Sequence, residues 1–349
     1  IIHHSPYSQV VDDLGKMPGA KWFDGATLNF AENLLRNRGD KIAILFQGED
    51  GTQSSLTYKE LHDQVSRLAR SMREMGIVKN DRVAGFMPNI PETIITMLAT
   101  ASIGAIWSSC SPDFGIKGVL DRFQQIEPKL IFAADGYLYN GKTIDCLSKL
   151  KNILTDLPSI KKTIIVPFAG DYNTNIIKNS MLWNDFLHKD SGDIIFEQLP
   201  FDHPLYIMYS SGTTGLPKSI VHSTGGTLIQ HLKELKLHTD LTQNDKIFYF
   251  TTCGWMMWNW LISSLAVGAT IALYDGSPFY PDGTALLKMA YDLGITVFGT
   301  SAKYIASLES FGIKPNKILS FPKLRTILST GSPLVEENFD FVYREWKED

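Results

Sequence analysis

The chain has 349 residues, of which 44% are hydrophobic and 20% charged, and these proportions exclude a largely disordered polypeptide. Lys and Arg number 33 against 37 Asp and Glu, so the net charge of −4 argues against a nucleic-acid-binding protein. The three cysteines, Cys110, Cys146 and Cys253, form no CxxC pair. They predict neither a disulfide scaffold nor a zinc cluster, and they are typical of a reducing compartment such as the cytoplasm.

The first half of the chain alternates helical and strand-like segments. Thr57 and Glu60 have capping-box spacing, and apolar residues recur at helical intervals from Leu61 to Met75. A proline suits the first turn of a helix, so Pro91 is expected to open another helix. The remaining predicted elements are a strand at 82–87, a helix at 91–103, and strands at 105–107, 130–133 and 163–166.

The second half repeats this alternation. Strands are predicted at 205–209, 246–250, 270–274, 296–299 and 324–328, and helices at 224–237, 258–267, 283–293 and 301–310. A more polar stretch, residues 140–203, is expected to contain the boundary between a first lobe, residues 1–150, and a second lobe, residues 151–349. The pattern predicts an α/β fold, with two lobes of mostly parallel sheet covered by helices.

The apolar run at residues 255–274 and the two chain ends bear on localisation. The run contains Asn259, Ser263 and Ser264, so a buried helix followed by a strand explains it better than a membrane span. The chain opens at Ile1 without a signal-peptide pattern, and residues 341–347 read as the middle of a helix. We therefore expect a cytoplasmic protein of which this chain is a fragment.

The strongest chemical signal is SSGTTGLPK, from Ser210 to Lys218, which directly follows an apolar strand. Glycines let backbone amides approach a ligand, hydroxyls donate to phosphate oxygens, and a lysine adds positive charge. The run misses the P-loop pattern because Pro217 replaces its second glycine, and because residues 219–222 read as a strand rather than a helix. A flexible linker is the alternative, but the position after a buried strand favours a polyphosphate cradle.

This run resembles the phosphate-binding signature of the acyl-adenylate-forming superfamily, which includes the acyl-CoA synthetases. Trp22, Phe23 and residues 28–33 resemble its acetyl-CoA synthetase branch. Within that branch, residues 103–115, 253–258 and 329–334 look most like acetoacetyl-CoA synthetases. The resemblance extends from about residue 22 to about residue 334, and it implies the large N-terminal domain of such an enzyme.

The resemblance implies an ATP-dependent acid–CoA ligase, with acetoacetate as the acid and AMP and pyrophosphate as products. ATP, Mg²⁺ and coenzyme A are then required, and a small C-terminal domain of the same polypeptide is the implied partner. The acidic metal-binding motif also falls beyond residue 349, so we expect no metal ligand within this chain and no activity from the chain alone. The alternatives are an acetyl-, propionyl- or other short-chain acyl-CoA synthetase, and a non-catalytic nucleotide- or acyl-binding protein.

The resemblance also implies the residues of the site. Those matched to ATP binding are Ser210, Ser211, Gly212, Thr213, Thr214, Gly215, Lys218, Gly331, Ser332 and Pro333. Thr213, Thr214 and Lys218 are the implied catalytic residues. Those matched to the acyl pocket are Trp255, Met256, Met257 and Thr330, and those matched to coenzyme A are Tyr139, Asn140, Gly141 and Lys142. A bulky Trp255 in the pocket favours a short acid.

The chain departs from the acetyl-CoA synthetase pattern at two of these positions. Ser332 replaces a glutamate and Tyr139 replaces an arginine, which weakens the polar contacts implied there. Three other reactive side chains, His222, His231 and Cys253, lie near the matched segments. A lone histidine is more often structural than catalytic, and no His/Asp spacing supports a triad with Cys253, so structural roles are expected for all three. Trp258 and Trp260 are expected in the core.

Overall fold

The computed structural model describes residues 1–170, 173–210 and 215–348. Its strands are β1 Thr27–Leu28, β2 Ile42–Gly48, β3 Gln53–Thr57, β4 Arg82–Phe86, β5 Ile106–Cys110, β6 Leu130–Ala134, β7 Gly136–Tyr139, β8 Lys142–Asp145, β9 Lys162–Val166, β10 Ser180–Leu182, β11 Leu199–Pro200, β12 Pro204–Ser210, β13 Lys218–Ser223, β14 Lys246–Tyr249, β15 Thr270–Asp275, β16 Val297–Ser301 and β17 Thr326–Thr330. Its α-helices are α1 Phe30–Leu34, α2 Tyr58–Glu74, α3 Pro91–Ile103, α4 Ile116–Phe123, α5 Leu147–Thr155, α6 Trp183–Phe186, α7 Thr224–Lys233, α8 Met256–Ile262, α9 Ala285–Leu293, α10 Ala302–Ser310, α11 Pro315–Ile318 and α12 Glu336–Glu345. A π-helical turn, Glu234–His238, extends α7, and a 3₁₀ turn, Ser263–Val267, extends α8.

Two large sheets organise these elements. Sheet A has the order β10-β9-β6-β4-β5-β12-β13, and sheet B has the order β17-β16-β14-β15-β2-β3. Every neighbouring pair is parallel except β12–β13 in sheet A and β2–β3 in sheet B, which are antiparallel and lie at the sheet edges. The predicted α/β class with mostly parallel sheets is confirmed.

Local sequence signals account for several helices. The Thr57 hydroxyl accepts a hydrogen bond from Glu60 N at 3.1 Å, while Thr57 N donates to Glu60 Oε2 at 2.8 Å, which completes the predicted capping box of α2. Pro91 is the first residue of α3, as expected. That helix ends before Gly104, whose φ of +77° is the left-handed conformation that a glycine adopts readily.

The strands of the two sheets are not separated at residue 150. Strands β2 and β3, from the first part of the chain, belong to sheet B, where Ile44 lies beside Ile271. Strands β9, β10, β12 and β13, from beyond residue 150, belong to sheet A. The expectation that each lobe contains its own strands is therefore wrong, because each large sheet takes strands from both sides of residue 150. Strands that are distant in the chain pair when this buries their apolar side chains, whatever their order in the sequence. Independent folding of the two predicted lobes stays a prediction.

The apolar run at residues 255–274 forms α8, the 3₁₀ turn that extends it, and the start of β15, as the sequence predicted. Trp258, Leu265 and Ile271 are fully buried in it. No helix within the described part of the chain is both long and apolar enough to cross a membrane.

Candidate active site

The carboxyl ends of sheets A and B meet at Asn89, which follows β4. Its backbone N donates to Asp275 Oδ1, at the end of β15, at 2.8 Å. Its amide nitrogen donates to the carbonyls of Tyr274 at 3.2 Å and Thr251 at 3.3 Å, and its amide oxygen accepts from Trp258 Nε1 at 2.9 Å. Ligands of open α/β sheets bind at strand carboxyl ends, so this junction is the candidate active-site region.

The segment matched to the acyl pocket is anchored at this junction. Ser109 Oγ, in β5, donates to the Cys253 carbonyl at 2.7 Å, and Cys253 Sγ donates to the Met87 carbonyl at 3.0 Å. A Cβ built on Gly254 would lie 3.7 Å from the Ser109 carbonyl oxygen, so the backbone runs close to the end of β5. The segment follows β14 of sheet B and is held by residues of sheet A, so both sheets determine where the residues after Gly254 lie.

The tryptophans of this segment have different environments. Trp258 and Trp260 are buried, as expected for core residues. Trp255, which precedes α8, has 60% of its surface exposed, and Met256 and Met257 are half-buried. This exposure makes the indole of Trp255 accessible to a ligand, and its predicted effect on substrate length stays a prediction.

The base of the loop matched to ATP phosphates is an antiparallel hairpin. Ser210 ends β12, Lys218 begins β13, and the two are paired across the sheet. The lysine side chain is exposed. The predicted strand after the loop is confirmed, whereas the lysine of a P-loop begins a helix. Gly215, three residues before β13, is exposed. The matched residues Ser211, Gly212, Thr213 and Thr214 lie outside the described residues.

The end of α4 supports this hairpin from the side. Gln125 Nε2 donates to the Pro217 carbonyl at 2.9 Å, and Gln125 Oε1 accepts from Ser219 Oγ at 2.9 Å. Tyr209 Oη donates to the Arg122 carbonyl at 3.1 Å. The loop thus leaves sheet A between Tyr209 on one side and Pro217 and Ser219 on the other. All three hydrogen bond to α4 or to Gln125 just beyond its end, which fixes the direction of the loop base. Sequence reasoning missed Gln125, because no local pattern connects it to the loop.

The segment matched to adenine forms one wall of a cleft of about 860 Å³. Thr330 ends β17, and Gly331, with a φ of +93°, turns the chain into Ser332 and Pro333. The opposite wall is α12, including Tyr343. Among the described residues, neither the hairpin base nor Trp255 and the two methionines line this cleft. The structure thus places Thr330 with the adenine segment rather than with the rest of the matched acyl pocket.

The segment matched to coenzyme A is the turn between β7 and β8. Tyr139 pairs with Lys142, leaving Asn140 and Gly141 as a two-residue turn. The amides of both turn residues donate to the carboxylate of Glu49, at 2.8 and 2.6 Å. These amides therefore already have a partner, and the exposed side chains of Tyr139 and Lys142 remain available to a ligand. Sequence reasoning missed Glu49.

Sequence reasoning also missed Asp275, which lies where the two sheets meet. The surrounding protein desolvates its carboxyl group, and this desolvation raises the pKa of Asp275 to about 7, with smaller contributions from Asp113 and Glu49. A raised carboxyl pKa means that the folded state holds a proton that the unfolded state loses near pH 4.

We expect the free energy of unfolding of the Asp275→Asn variant to lack the pH dependence that ionisation of Asp275 causes in the wild type. In the wild-type chain, the contribution of Asp275 is favourable at pH 4 and is lost as the pH rises towards 7, because the unfolded state ionises first. At pH 8 the variant should be more stable than the wild type by about 1–2 kcal/mol, because a neutral amide does not have to be ionised inside the protein. Urea unfolding at pH 4.5 and pH 8 measures this, with the exposed Asp292→Asn as control; equal shifts at both pH values would contradict it.

The histidines and the cysteine near the site have structural environments. His231 Nδ1 and Ser263 Oγ form a buried hydrogen bond of 2.7 Å, and burial lowers the pKa of His231 to about 4. Burial also lowers the pKa of His222 and raises the pKa of the Cys253 thiol. A protonated buried thiol is a poor nucleophile, so these observations agree with the structural roles expected from the sequence.

The chain is similar to known enzymes over its whole length. Residues 30–348 match the family described as AMP-binding enzyme. The chain is 53% identical to the acetoacetyl-coenzyme A synthetase of Rhizobium meliloti (strain 1021), an alignment that covers 100% of this chain and 54% of that protein. It is 50% identical to the acetoacetyl-CoA synthetase of Gallus gallus, with 98% of this chain and 53% of that protein covered.

A solved structure gives the same result. Acetoacetyl-CoA synthetase from Streptomyces lividans matches with a TM-score of 0.95 and 43% sequence identity, covering 100% of this chain and 54% of that one. The chain thus spans about half the length of the curated relatives it matches. The resemblance inferred from residues 210–218 and from the surrounding segments is confirmed, and the chain belongs to the AMP-binding enzyme family.

Proposed function

We propose that the whole protein is an ATP-dependent ligase that converts acetoacetate, ATP and coenzyme A into acetoacetyl-CoA, AMP and pyrophosphate. The observation that carries this proposal is the 53% identity, over the entire chain, to a relative named acetoacetyl-coenzyme A synthetase. The meeting of two sheets at their carboxyl ends supports it, since two lobes can offer binding surfaces for several substrates at one junction.

The proposed reaction has two steps. In the first, a carboxylate oxygen of acetoacetate attacks the α-phosphorus of ATP, the bond to the pyrophosphate oxygen breaks, and pyrophosphate leaves with the bonding electrons. In the second, the sulfur of coenzyme A, having lost its proton, attacks the acyl carbon, and AMP leaves. The first step brings anions together, so it depends on positioning and charge neutralisation rather than on a protein nucleophile.

The hairpin loop of sheet A is proposed to hold the β- and γ-phosphates. Lys218, at the loop base, supplies positive charge, and Thr213 and Thr214 supply hydroxyl and amide donors. Both threonines follow the end of β12, one of the strands whose carboxyl ends face the junction. Hydrogen bonds of Gln125 and Tyr209 hold the two strand ends from which this loop extends.

The other substrates are assigned to segments of both sheets. The turn at Gly331–Pro333 is proposed for adenine, and the exposed Trp255 with its neighbouring methionines for the acyl group. Tyr139 and Lys142 are proposed for coenzyme A. No three His, Cys, Asp or Glu side chains of the described residues are grouped to hold a metal ion. Mg²⁺ is proposed to enter with ATP as part of the MgATP substrate, bound through the phosphates.

We also propose that the protein works in a reducing compartment, and we infer that this compartment is the cytoplasm. All three cysteines are free and buried in the fold. Cys110 and Cys146 have thiol pKa values raised to about 12 by burial, so both thiols stay protonated near neutral pH. Inert free thiols are typical of proteins that are not exposed to disulfide formation.

Pyrophosphate release by the full-length gene product tests the proposed substrate. Acetoacetate, acetate and propionate are compared at equal concentration, and we expect acetoacetate to exceed acetate at least tenfold in kcat/KM. The 349-residue chain alone serves as a second arm and should show no useful turnover, because the relatives are about twice its length. A tenfold preference for acetate would contradict the assigned acid, and turnover by the chain alone would contradict the need for further domains.

A further inference from the structure

The carboxylate of Glu49 makes contacts that no part of the proposed reaction explains. Glu49 follows β2 at the carboxyl end of sheet B, and only 8% of its surface is exposed. Its carboxylate accepts hydrogen bonds from three backbone amides: Asn140 N at 2.8 Å, Gly141 N at 2.6 Å and Ser277 N at 2.5 Å. Hydrogen bonds to an ionised acceptor are stronger than neutral ones, so this is a firm attachment.

The turn that Glu49 holds has a conformation suited to binding an anion. Asn140 and Gly141 have φ values of +54° and +73°, the pattern of a type I′ hairpin turn, for which Asn-Gly is a preferred sequence. Successive amides in such turns form a concavity that binds negative charge. Here Glu49 occupies that concavity with its own carboxylate, so the turn is bound by the protein itself.

Neighbouring residues pack closely around the same attachment. A Cβ on Gly141 would come within 2.7 Å of the Tyr280 ring, so the ring covers the turn. A Cβ on Gly276, whose φ is +138°, would come within 2.4 Å of Glu49 Cβ. Both glycines are required by their backbone conformation and by this close packing. The turn of the β7–β8 hairpin, which follows a strand of sheet A, is therefore fixed to sheet B.

We propose that Glu49 is a positioning residue for the thioester-forming step, a role that rests on the proposed ligase function. By holding the two turn amides, Glu49 orients the turn so that the flanking side chains, Tyr139 and Lys142, point towards solvent. Tyr139 is 48% exposed, and Lys142 is exposed too. Those two side chains, rather than the turn amides, then contact the anionic part of coenzyme A. Glu49 itself touches no substrate.

The test uses the full-length protein and separates the two half-reactions. Acetoacetate-dependent exchange of pyrophosphate into ATP requires no coenzyme A, whereas the overall reaction gives the KM for coenzyme A. We expect Glu49→Gln to raise that KM at least tenfold, because one carboxylate oxygen, which accepts hydrogen bonds, is replaced by an NH₂ group that faces backbone N–H donors. The exchange rate should change less than twofold. Glu74→Gln, on an exposed turn of α2, is the matched control and should change neither value.

A second variant disturbs the same hydrogen bonds by changing the turn instead of the carboxylate. Gly141→Ala leaves the carboxylate intact but strains the turn, and it should also raise the KM for coenzyme A while leaving exchange intact. An unchanged KM in both variants would overturn the role of Glu49. Absence of acid-dependent exchange in the wild type would instead overturn the ligase function, so the two failures are distinguishable.

Hydrogen exchange and circular dichroism of the full-length protein complete the test. The amides of Asn140 and Gly141 should exchange slowly in the wild type and at least tenfold faster in Glu49→Gln. Should Glu49→Gln fail to fold, Glu49→Asp keeps the charge with a shorter reach. A folded Glu49→Asp with an unchanged KM for coenzyme A would make Glu49 a purely structural residue and would overturn the proposal.

Discussion

Replacing Asp245 with alanine is expected to lower the free energy of unfolding of this chain by about 3 kcal/mol. Asp245 is buried, and its carboxylate receives two hydrogen bonds of 3.0 Å from the Arg325 guanidinium. It also accepts from the backbone N of Thr242 at 2.8 Å and from the hydroxyl of Thr296 at 2.7 Å. Removing it leaves these donors unpaired and Arg325 without its counter-charge.

The position of this pair explains why the effect should be large. Asp245 precedes β14, Thr296 precedes β16, and Arg325 precedes β17, so one carboxylate connects the amino ends of three strands of sheet B. Arg325 also donates to the carbonyls of Thr239 and Asp240, which adds the preceding loop to the cluster. Loss of Asp245 is therefore expected to loosen the sheet at its edge strand, beside the cleft at Thr330.

Urea unfolding at pH 7 measures the loss, and Asp292→Ala, which removes an exposed carboxylate from α9, is the control. The hydrogen bonds to Arg325 and the threonines lower the pKa of Asp245 to about 2, against the opposing effect of desolvation. Its contribution is present above pH 4 and is lost as the pH falls towards 2. Asp245→Asn should lack this acid component, and a loss below 1 kcal/mol for the alanine variant would contradict the prediction.

Replacing Lys218 with alanine in the full-length protein is expected to lower kcat/KM for ATP about 100-fold. Lys218 begins β13 at the base of the proposed phosphate loop, and its side chain is exposed. Charge builds up on the leaving pyrophosphate during the first half-reaction, and a positioned ammonium neutralises part of it. The effect should therefore appear in pyrophosphate exchange, before coenzyme A takes part.

The control for this variant is Lys236→Ala, which removes an exposed lysine from the π-helical turn after α7. It should change kcat/KM for ATP less than twofold. Circular dichroism checks that both variants fold. We expect Lys218→Ala to fold, because Lys218 pairs with Ser210 through its backbone, which alanine preserves. A change below threefold for Lys218→Ala would contradict a phosphate-binding role for this lysine.

Local patterns in the sequence were sufficient for most of the elements. The capping box at Thr57, the helix that begins at Pro91, and the strand that begins at Lys218 are all present as predicted. These signals act within one turn of helix or one hairpin, so neighbouring residues contain all the information needed. The apolar run at residues 255–274 was also resolved correctly, since its polar residues disfavour a membrane span.

The arrangement of the elements could not be predicted in the same way. Strand β2 joins sheet B through contacts such as Ile44 with Ile271, which are more than 200 residues apart in the chain. No periodicity in either segment identifies its partner. The hydrogen bonds from Gln125 to the loop base, and those from two turn amides to Glu49, are equally non-local. Each became visible only once the strands had been assembled into sheets.

The sequence by itself determined the α/β class and the family, because these depend on short runs with characteristic residue types. Its assignment of a segment to each substrate stays a prediction. Only the tertiary structure decided which strands share a sheet, that Trp255 is exposed while Trp258 is buried, and that Glu49 occupies the amides of the turn matched to coenzyme A. The physical reason is that burial and hydrogen-bond partners are properties of distant segments brought together, and a linear pattern contains neither.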